Sequence, residues 1–577
     1  MNARTPIMGS ETSMADIASL SLTELFAQAE SLQKEGDPMK VVQLYKTWLT
    51  TSQDPYKHAG YFNYGALLQN LQMQQEAEAA YRSAIALQPK FAQAIINLGL
   101  LLEKNNKADE AIEQWTSIVA YGLQKQPVSS EFQVVALNHI GRLQESLRQY
   151  DLAEDALSKS LLLDPKQPGV IQHWVHIRQK ACKWPVFKEL PGVSVNKQIM
   201  CTSPLAMLAL YDDPLMQLLS ATAFVARTYN IKEEFLCKDK LYRHKRIRIG
   251  YLSGDLCMHA VGLLMADFFE AHDREKFEIY AYDYSVEDGT KHRERLKNAF
   301  EHFKSIKNIT DRQAAELICQ DEIEILIDMH GLSNGARPGI TALHPAPHQG
   351  TYIGFIGTTA LPWLDFVLTD RYVLPEENAQ FFTEKPLYVD QPFIPLNHEP
   401  LPDISFTRAE LGLPEGAFVM ASFSNIYKVN PALFETWMNI LRQVNHAVLW
   451  LLDDNDAATR RLKIEAKSFG ISEDRIVFSK RIGHGEYRAR LLLADIYLDS
   501  YPYNCGSTAR DVLDAGLPMV TISGKTMISR MAGSMLTNTG LEDLITHDYA
   551  EYEKCVVDLT KNPEKLIAYK KKLKNGI

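Results

Sequence analysis

Over the first third of the chain, three glycines and three alanines recur in step. Gly65, Gly99 and Gly141 each follow an apolar residue (Tyr64, Leu98, Ile140), and twelve residues on from each stands Ala77, Ala111 or Ala153. Both markers are 34 residues apart at the first step and 42 at the second, so eight extra residues are expected in the second interval, around 124–130. Pro89 and Pro165 close the first and third units. Small residues at matched places let two antiparallel helices approach closely, and a proline stops the second helix. Such units stack, bury one continuous core and leave a concave face.

A 34-residue period with this Gly/Ala/Pro pattern resembles tetratricopeptide repeats. The array is placed at 21–166, after a flexible N-terminus at 1–20, with 23–50 as a degenerate first unit and 151–165 leading to a cap. A concave repeat surface is usually a peptide-binding face. Asn63 and Asn97 each lie two residues before a glycine, on the inner helices. They are candidate acceptor-binding residues, able to hydrogen-bond a peptide backbone. The repeats also leave room for a homo-oligomer.

Composition narrows the remaining classes. A net charge of −10 and a pI near 5.9 disfavour a dedicated nucleic-acid binder, which needs a Lys/Arg surplus to meet phosphates. The one basic run, 238–248, leads into an apolar strand and reads as a solvated approach to it. Seven cysteines without a CxxC pair suggest neither a disulfide framework nor a zinc site. The first twenty residues lack a sustained apolar stretch, and no run of about 18 apolar residues occurs. No membrane association and a cytoplasmic location are expected.

Residues 167–245, with Trp174, Trp184 and an amphipathic run at 204–229, read as a helical connector packed between the repeats and the second half of the chain. From 246 the pattern changes. Apolar β-type runs at 247–253, 277–284, 325–329, 351–355 and 366–370 alternate with helical stretches such as 311–320. A second series occupies 418–424, 447–454, 475–480, 494–500 and 518–523, beyond a polar, proline-rich stretch at 395–415. Short, nearly continuous apolar strands alternating with helices indicate buried parallel sheets. The expected fold is α/β with two Rossmann-like lobes, 246–395 and 396–577, preceded by the all-α repeat solenoid. Ligands in such folds sit beyond the carboxyl ends of strands.

The loop after the first strand, Ser253-Gly254-Asp255-Leu256-Cys257-Met258-His259, carries no GxGxxG, which disfavours a dinucleotide dehydrogenase. No Walker A loop or HExxH motif is present. Behind the strand at 418–424 comes Asn425-Ile426-Tyr427-Lys428, with the lysine placed to meet an anion. Behind the strand at 494–500, the loop 501–511 (YPYNCGSTARD) opens a helix that runs through Ala515. Free N–H groups and hydroxyls at a helix N-terminus suit a diphosphate, although Ser507 or Thr508 alone would serve as an ordinary N-cap.

Taken together, these segments make the second half resemble the protein O-GlcNAc transferases and, more distantly, bacterial N-glucosyltransferases. The resemblance is carried by 247–259 (IRIGYLSGDLCMH), 321–337 (DEIEILIDMHGLSNGAR), 343–358 (LHPAPHQGTYIGFIGT), 423–428 (FSNIYK), 437–452 and 494–521. It implies a two-lobe GT-B catalytic region and inverting, metal-independent transfer from a UDP-sugar to polypeptide, with no cofactor. Carried over by position, Lys428 matches the lysine on the donor diphosphate, Asn425 stands where glutamine is common, and Tyr427 lies between them. Ser507 and Thr508, after Gly506, match the diphosphate hydroxyl pair, and Asp511 matches the ribose-binding aspartate. Tyr487 and Arg490 fall where residues flank the uracil, with His484 at the ribose side. Asp255 and His259 match the pair at the catalytic mouth, with His259 as candidate base or acceptor-orienting group. His330, ending the strand at 325–329, is placed on the acceptor side of the cleft.

The sequence departs from the family at Gly506 and Tyr487, each a histidine in animal members, and at Ile356, which replaces a proline. It also ends at Ile577, before the long segment that usually packs back on the first lobe, which leaves lobe coupling and sugar identity open. No DxD metal motif lies within the donor loops 425–428 and 501–511. The reading is a UDP-sugar:protein O-glycosyltransferase moving GlcNAc, glucose or another hexose to Ser/Thr. The alternatives are Asn-directed glucosyl transfer and a catalytically weak scaffold whose repeats bind a client protein.

Overall fold

The computed structural model describes residues 14–122, 128–237, 239–396 and 400–576. It divides into two compact units, Met1–Val170 with Leu190–Val193, and Ile171–Glu189 with Ser194–Ile577.

Within 14–170, the first unit's regular elements are all helices among the described residues. Helices pair as Leu22–Lys34 with Pro38–Thr51, Lys57–Asn70 with Gln74–Leu87, Ala92–Lys104 with Ala108–Gly122, and Ser130–Ser146 with Tyr150–Leu163. The sequence markers explain the pairing. A Cβ on Gly65, Gly99 or Gly141 would run into Tyr81, Trp115 or Leu157 of the partner helix, while Ala77, Ala111 and Ala153 are fully buried. Pro89 and Pro165 come directly after the C-caps Gln88 and Asp164, where the helices have ended. Of the stretch expected to hold the extra residues, 124–127 lie outside the described residues, and Ser130 opens the next helix.

The second unit holds two parallel sheets. The first contains β1 (Ile247–Ser253), β2 (Phe277–Asp283), β3 (His302–Ser305), β4 (Ile325–Asp328), β5 (His348–Thr351), β6 (Phe366–Thr369) and β7 (Lys385–Tyr388), in the order β3-β2-β1-β4-β5-β6-β7. The second contains β8 (Phe418–Ser422), β9 (Ala447–Asp453), β10 (Ile476–Lys480), β11 (Ile496–Leu498), β12 (Met519–Ile522) and β13 (Ile545–Thr546), in the order β10-β9-β8-β11-β12-β13. Each order reverses once, between β1 and β4 in the first sheet and between β8 and β11 in the second. A crevice opens at each reversal, because the crossover helices on either side lie on opposite faces.

The expected strand at 351–355 is displaced. Its apolar run TYIGF turns at Ile353, which has φ 64°, and a Cβ on Gly354 would strike the Met329 carbonyl. The strand is instead the polar His348–Thr351. Gln349 is fully buried there, its amide donating to the carbonyls of Thr341 (2.9 Å) and Trp363 (3.1 Å). A buried polar side chain that donates in this way is invisible to an apolar pattern. The edge strands β3 and β7 and the two-residue β13 were not expected from the sequence either; β3 and β7 are short and half-exposed.

The cysteines also differ from expectation, whereas the connector's amphipathic run 204–229 is helical, carried by two helices, Pro204–Leu210 and Pro214–Thr228, each opened by a capping Ser or Asp and a proline. Asp212, in the break, accepts from Tyr501 (2.8 Å), Lys525 N–H (2.7 Å), Thr526 (2.7 Å) and Ser529 (2.7 Å), tying the connector to the second sheet's loops. The cysteines include one pair, a disulfide between Cys237 and Cys319, which stand 82 residues apart with their Cα atoms at 6.2 Å. The partners come from a loop and a helix, so no local motif announces them.

Candidate active site

Both sheet reversals open on one cleft of about 710 Å³, lined by residues that come after β1, β4, β8 and β11. The second lobe's wall begins after β8, where the chain makes a single 3₁₀ turn, Ile426–Lys428, before the helix Pro431–Gln443. This turn carries Lys428 inward. The side chain is buried, and its Nζ lies 3.8 Å from the centre of the Tyr503 ring. Burial lowers its pKa.

Tyr503 belongs to the loop after β11, and Asp499 shapes that loop. Its buried carboxylate accepts from the N–H groups of Ser500 (2.8 Å) and Cys505 (2.9 Å) and from the Thr521 hydroxyl (2.6 Å). Burial pushes its pKa up to about 6. The loop delivers Gly506, Ser507 and Thr508 to the cleft at the start of the helix Ser507–Asp514. A helix N-terminus and a buried ammonium on one wall make an anion site.

Of the other sequence-derived donor residues, Asn425 and Tyr427 also line this wall. Asn425 is exposed, and its Oδ1 accepts from Arg481 (2.8 Å), which also pairs with Asp454 (3.1 Å). Tyr427 meets Tyr503 edge-on, with ring centres 6.1 Å apart. His484, Tyr487, Arg490 and Asp511 form an adjoining cluster outside the cleft lining. Asp511 is buried between His484 Nε2 (3.2 Å) and Arg510 (2.9 Å). Arg490 is buried against the Phe423 ring (4.1 Å) and donates to the Lys480 carbonyl (2.9 Å), and burial lowers its pKa. Tyr487 is half-buried, and burial raises its pKa.

The first lobe's wall is built differently. His259 is the N-cap of the helix Ala260–Glu270, its Nδ1 accepting from Val261 N–H at 3.4 Å, and half of its side chain is exposed. Asp255 Oδ2 stands 3.4 Å from His259 Nδ1 and 3.4 Å from His330 Nδ1. His330 does not reach the cleft: it is buried, with Nε2 3.0 Å from the Asn334 carbonyl. Behind it, Asp328 accepts from the N–H groups of His330 and Gly331 (both 3.0 Å), and burial raises its pKa to about 6. The cleft surface expected of His330 is supplied by Ser333 and Asn334.

Asn63 and Asn97 lie in the helical unit. Both are half-buried, and Asn97 donates to the Tyr81 hydroxyl at 3.4 Å. Sequence reasoning passed over Tyr503, Asp499 and Phe423. Asp499 had a readable signal, a carboxylate closing an apolar strand at the mouth of the glycine loop. Nothing local marks the other two.

Two doubly wound lobes facing one cleft across their sheet reversals define a two-lobe, GT-B-like transferase fold. Residues 226–403 and 397–576, together more than half of the chain, match the profile of glycosyl transferase family 41, and the chain belongs to that family. Residues 58–91 and 134–167 match the tetratricopeptide repeat. The chain is 33% identical to a probable UDP-N-acetylglucosamine–peptide N-acetylglucosaminyltransferase of Arabidopsis thaliana, over 69% of this chain and 44% of that protein. It is 27% identical to a UDP-N-acetylglucosamine–peptide N-acetylglucosaminyltransferase of Caenorhabditis elegans, over 55% of this chain and 37% of that one. It thus spans less than half the length of these relatives. A mutant O-GlcNAc transferase of Thermobaculum terrenum shares the fold, with a TM-score of 0.63 at 21% identity over 90% of this chain and 92% of that one. No described helix is long and apolar enough to cross a membrane.

Proposed function

We propose that the cleft binds a UDP-sugar and that the chain transfers its sugar, GlcNAc or another hexose, to Ser/Thr side chains of a polypeptide with inversion and without a metal. One observation carries the reading: a buried lysine and a helix N-terminus line the same cleft as an exposed histidine backed by a carboxylate. As the acceptor oxygen bonds to the anomeric carbon, the bond to the UDP oxygen breaks and negative charge grows on the diphosphate. Lys428 and the N–H groups at Ser507 and Thr508 meet that charge, each such donor contributing on the order of 3 kcal/mol in a dry site. The acceptor proton passes to the His259 imidazole, and the Asp255 carboxylate, 3.4 Å from Nδ1, stabilises the imidazolium that forms. The names of the relatives supply the donor and acceptor classes, and the repeats supply a surface for recruiting polypeptide.

The test is intact-mass analysis of acceptor proteins incubated with UDP-GlcNAc or UDP-glucose in the presence of EDTA. A sugar added at undiminished rate supports the reading, and resistance of that sugar to β-elimination would move the acceptor to Asn. Absence of UDP binding by calorimetry would overturn the donor assignment.

A further inference from the structure

We infer that the Tyr503 ring is the positioning group for Lys428, holding its ammonium through a cation–π contact so that the charge stays free for an anionic ligand. The inference rests on the reading of Lys428 as the diphosphate contact and adds how that contact is kept ready.

Lys428 is in an unusual position for a buried lysine. Buried charges are ordinarily paired with a carboxylate or bound to acceptors. Among the described residues, no carboxylate oxygen comes within 4 Å of Nζ and no protein acceptor takes its protons; the ring face at 3.8 Å is its contact. Asp499, the carboxylate whose field reaches it, is already occupied by Ser500, Cys505 and Thr521. An ion pair would hold the lysine equally well, but it would neutralise the charge the ligand needs. An aromatic face attracts a cation through its quadrupole and occupies none of the three N–H donors.

The ring itself is fixed. Tyr427 meets it edge-on at 6.1 Å and 85°, and the backbone carbonyl of Tyr503 accepts from Ser500 Oγ at 2.6 Å. Tyr503 and Lys428 both line the cleft, so ring and ammonium form one surface facing the helix start at Ser507. The two side chains stand 75 residues apart, and each comes from the end of a strand flanking the sheet reversal.

The titratable groups around Lys428 keep a pH test clean. Asp499 has its pKa raised to about 6, Tyr503 and Cys505 are each pushed up to about 12, and Tyr427 is raised by burial. Burial lowers the pKa of Lys428 from its ordinary 10.5, so of this set it is the group whose charge falls first as pH rises above neutrality. Loss of the ring removes a stabiliser of the ammonium, so the pKa of Lys428 falls further and UDP affinity drops away at lower pH.

The experiment measures UDP affinity by calorimetry from pH 7 to 10 for wild type, Lys428→Ala, Tyr503→Leu and Tyr503→Phe. It adds a series carrying mono-, di- and trifluorinated phenylalanine at 503, which keeps the ring's shape while draining its face of negative charge. We expect Tyr503→Phe to retain affinity within about twofold and Tyr503→Leu to lose about tenfold, with its alkaline midpoint about one unit lower. Affinity should fall stepwise with fluorination. A flat fluorine series with Lys428→Ala still impaired would overturn the role of Tyr503 alone. Unchanged affinity in Lys428→Ala would instead overturn the underlying reading of the lysine.

Discussion

The two lobes share a strand order and reverse at the same point, yet they furnish those points with opposite chemistry. At the β8/β11 reversal the chain supplies positive potential: a buried ammonium, a helix N-terminus and hydroxyls. At the β1/β4 reversal it supplies a carboxylate between two imidazoles. Each lobe also buries an aspartate at or just beyond a strand end, Asp328 and Asp499, to hold backbone N–H groups of the adjoining loop. The scaffold is thus reused, and the residues just past it set the task. On our reading the second lobe manages the leaving group and the first manages the acceptor proton.

That division can be broken most severely at Lys428. Lys428→Ala should lower turnover about a thousandfold with the melting temperature unchanged, since a preorganised donor to the leaving group is lost; unaltered turnover removes the second lobe's assigned role. His259→Ala should cost about a hundredfold in turnover and leave UDP affinity intact. If it weakens UDP binding instead, the two walls are not chemically separate.

Asp511→Asn should weaken UDP binding by about 1.5–3 kcal/mol, the range for a lost charge-assisted hydrogen bond, as read by titration calorimetry. Equal affinity would mean that the His484–Asp511 pair only braces the helix. The repeat unit should matter less to chemistry: Asn63→Ala with Asn97→Ala is expected to raise the KM for a long acceptor a few-fold and leave UDP-sugar hydrolysis nearly unchanged. Equal KM values would reduce both asparagines to helix-packing residues.

The smallest effect tests the shared device. The folded-state pKa of both Asp328 and Asp499 is raised from 3.8 to about 6, so the folded protein binds more protons than the unfolded chain between those values. Their contribution to stability is therefore fully present below pH 3.8 and is lost as pH rises through about 6. Replacing either by Asn should flatten the dependence of melting temperature on pH in that window; an unchanged slope for one lobe would show that its aspartate is not held as the other is.

Much of this was legible along the chain. Helix pairs in the repeats, nine of the ten expected sheet cores to within two residues at either end, and the placement of Lys428, Ser507 and Thr508 beyond strand ends come from local patterns. Burial on one face imposes a period, and a glycine where Trp115 must fit leaves its mark in the sequence itself. The failures have equally local causes. Gln349 hid a buried strand because its amide nitrogen donates to carbonyls outside the strand, and TYIGF resembled a strand although Ile353 turns.

What the sequence by itself determined is therefore the architecture and the kinds of groups at each loop: an anion-seeking lysine and hydroxyls in one lobe, a histidine and carboxylate in the other. Only the tertiary structure decided which of them meet. It seated Lys428 on Tyr503, sank His330 beneath Asp255, buried Arg490 against Phe423 and joined Cys237 to Cys319. Periodicity records how a residue faces its own helix or strand. Contacts between residues 67 to 82 positions apart depend on sheet order and loop path, which no local window of sequence contains.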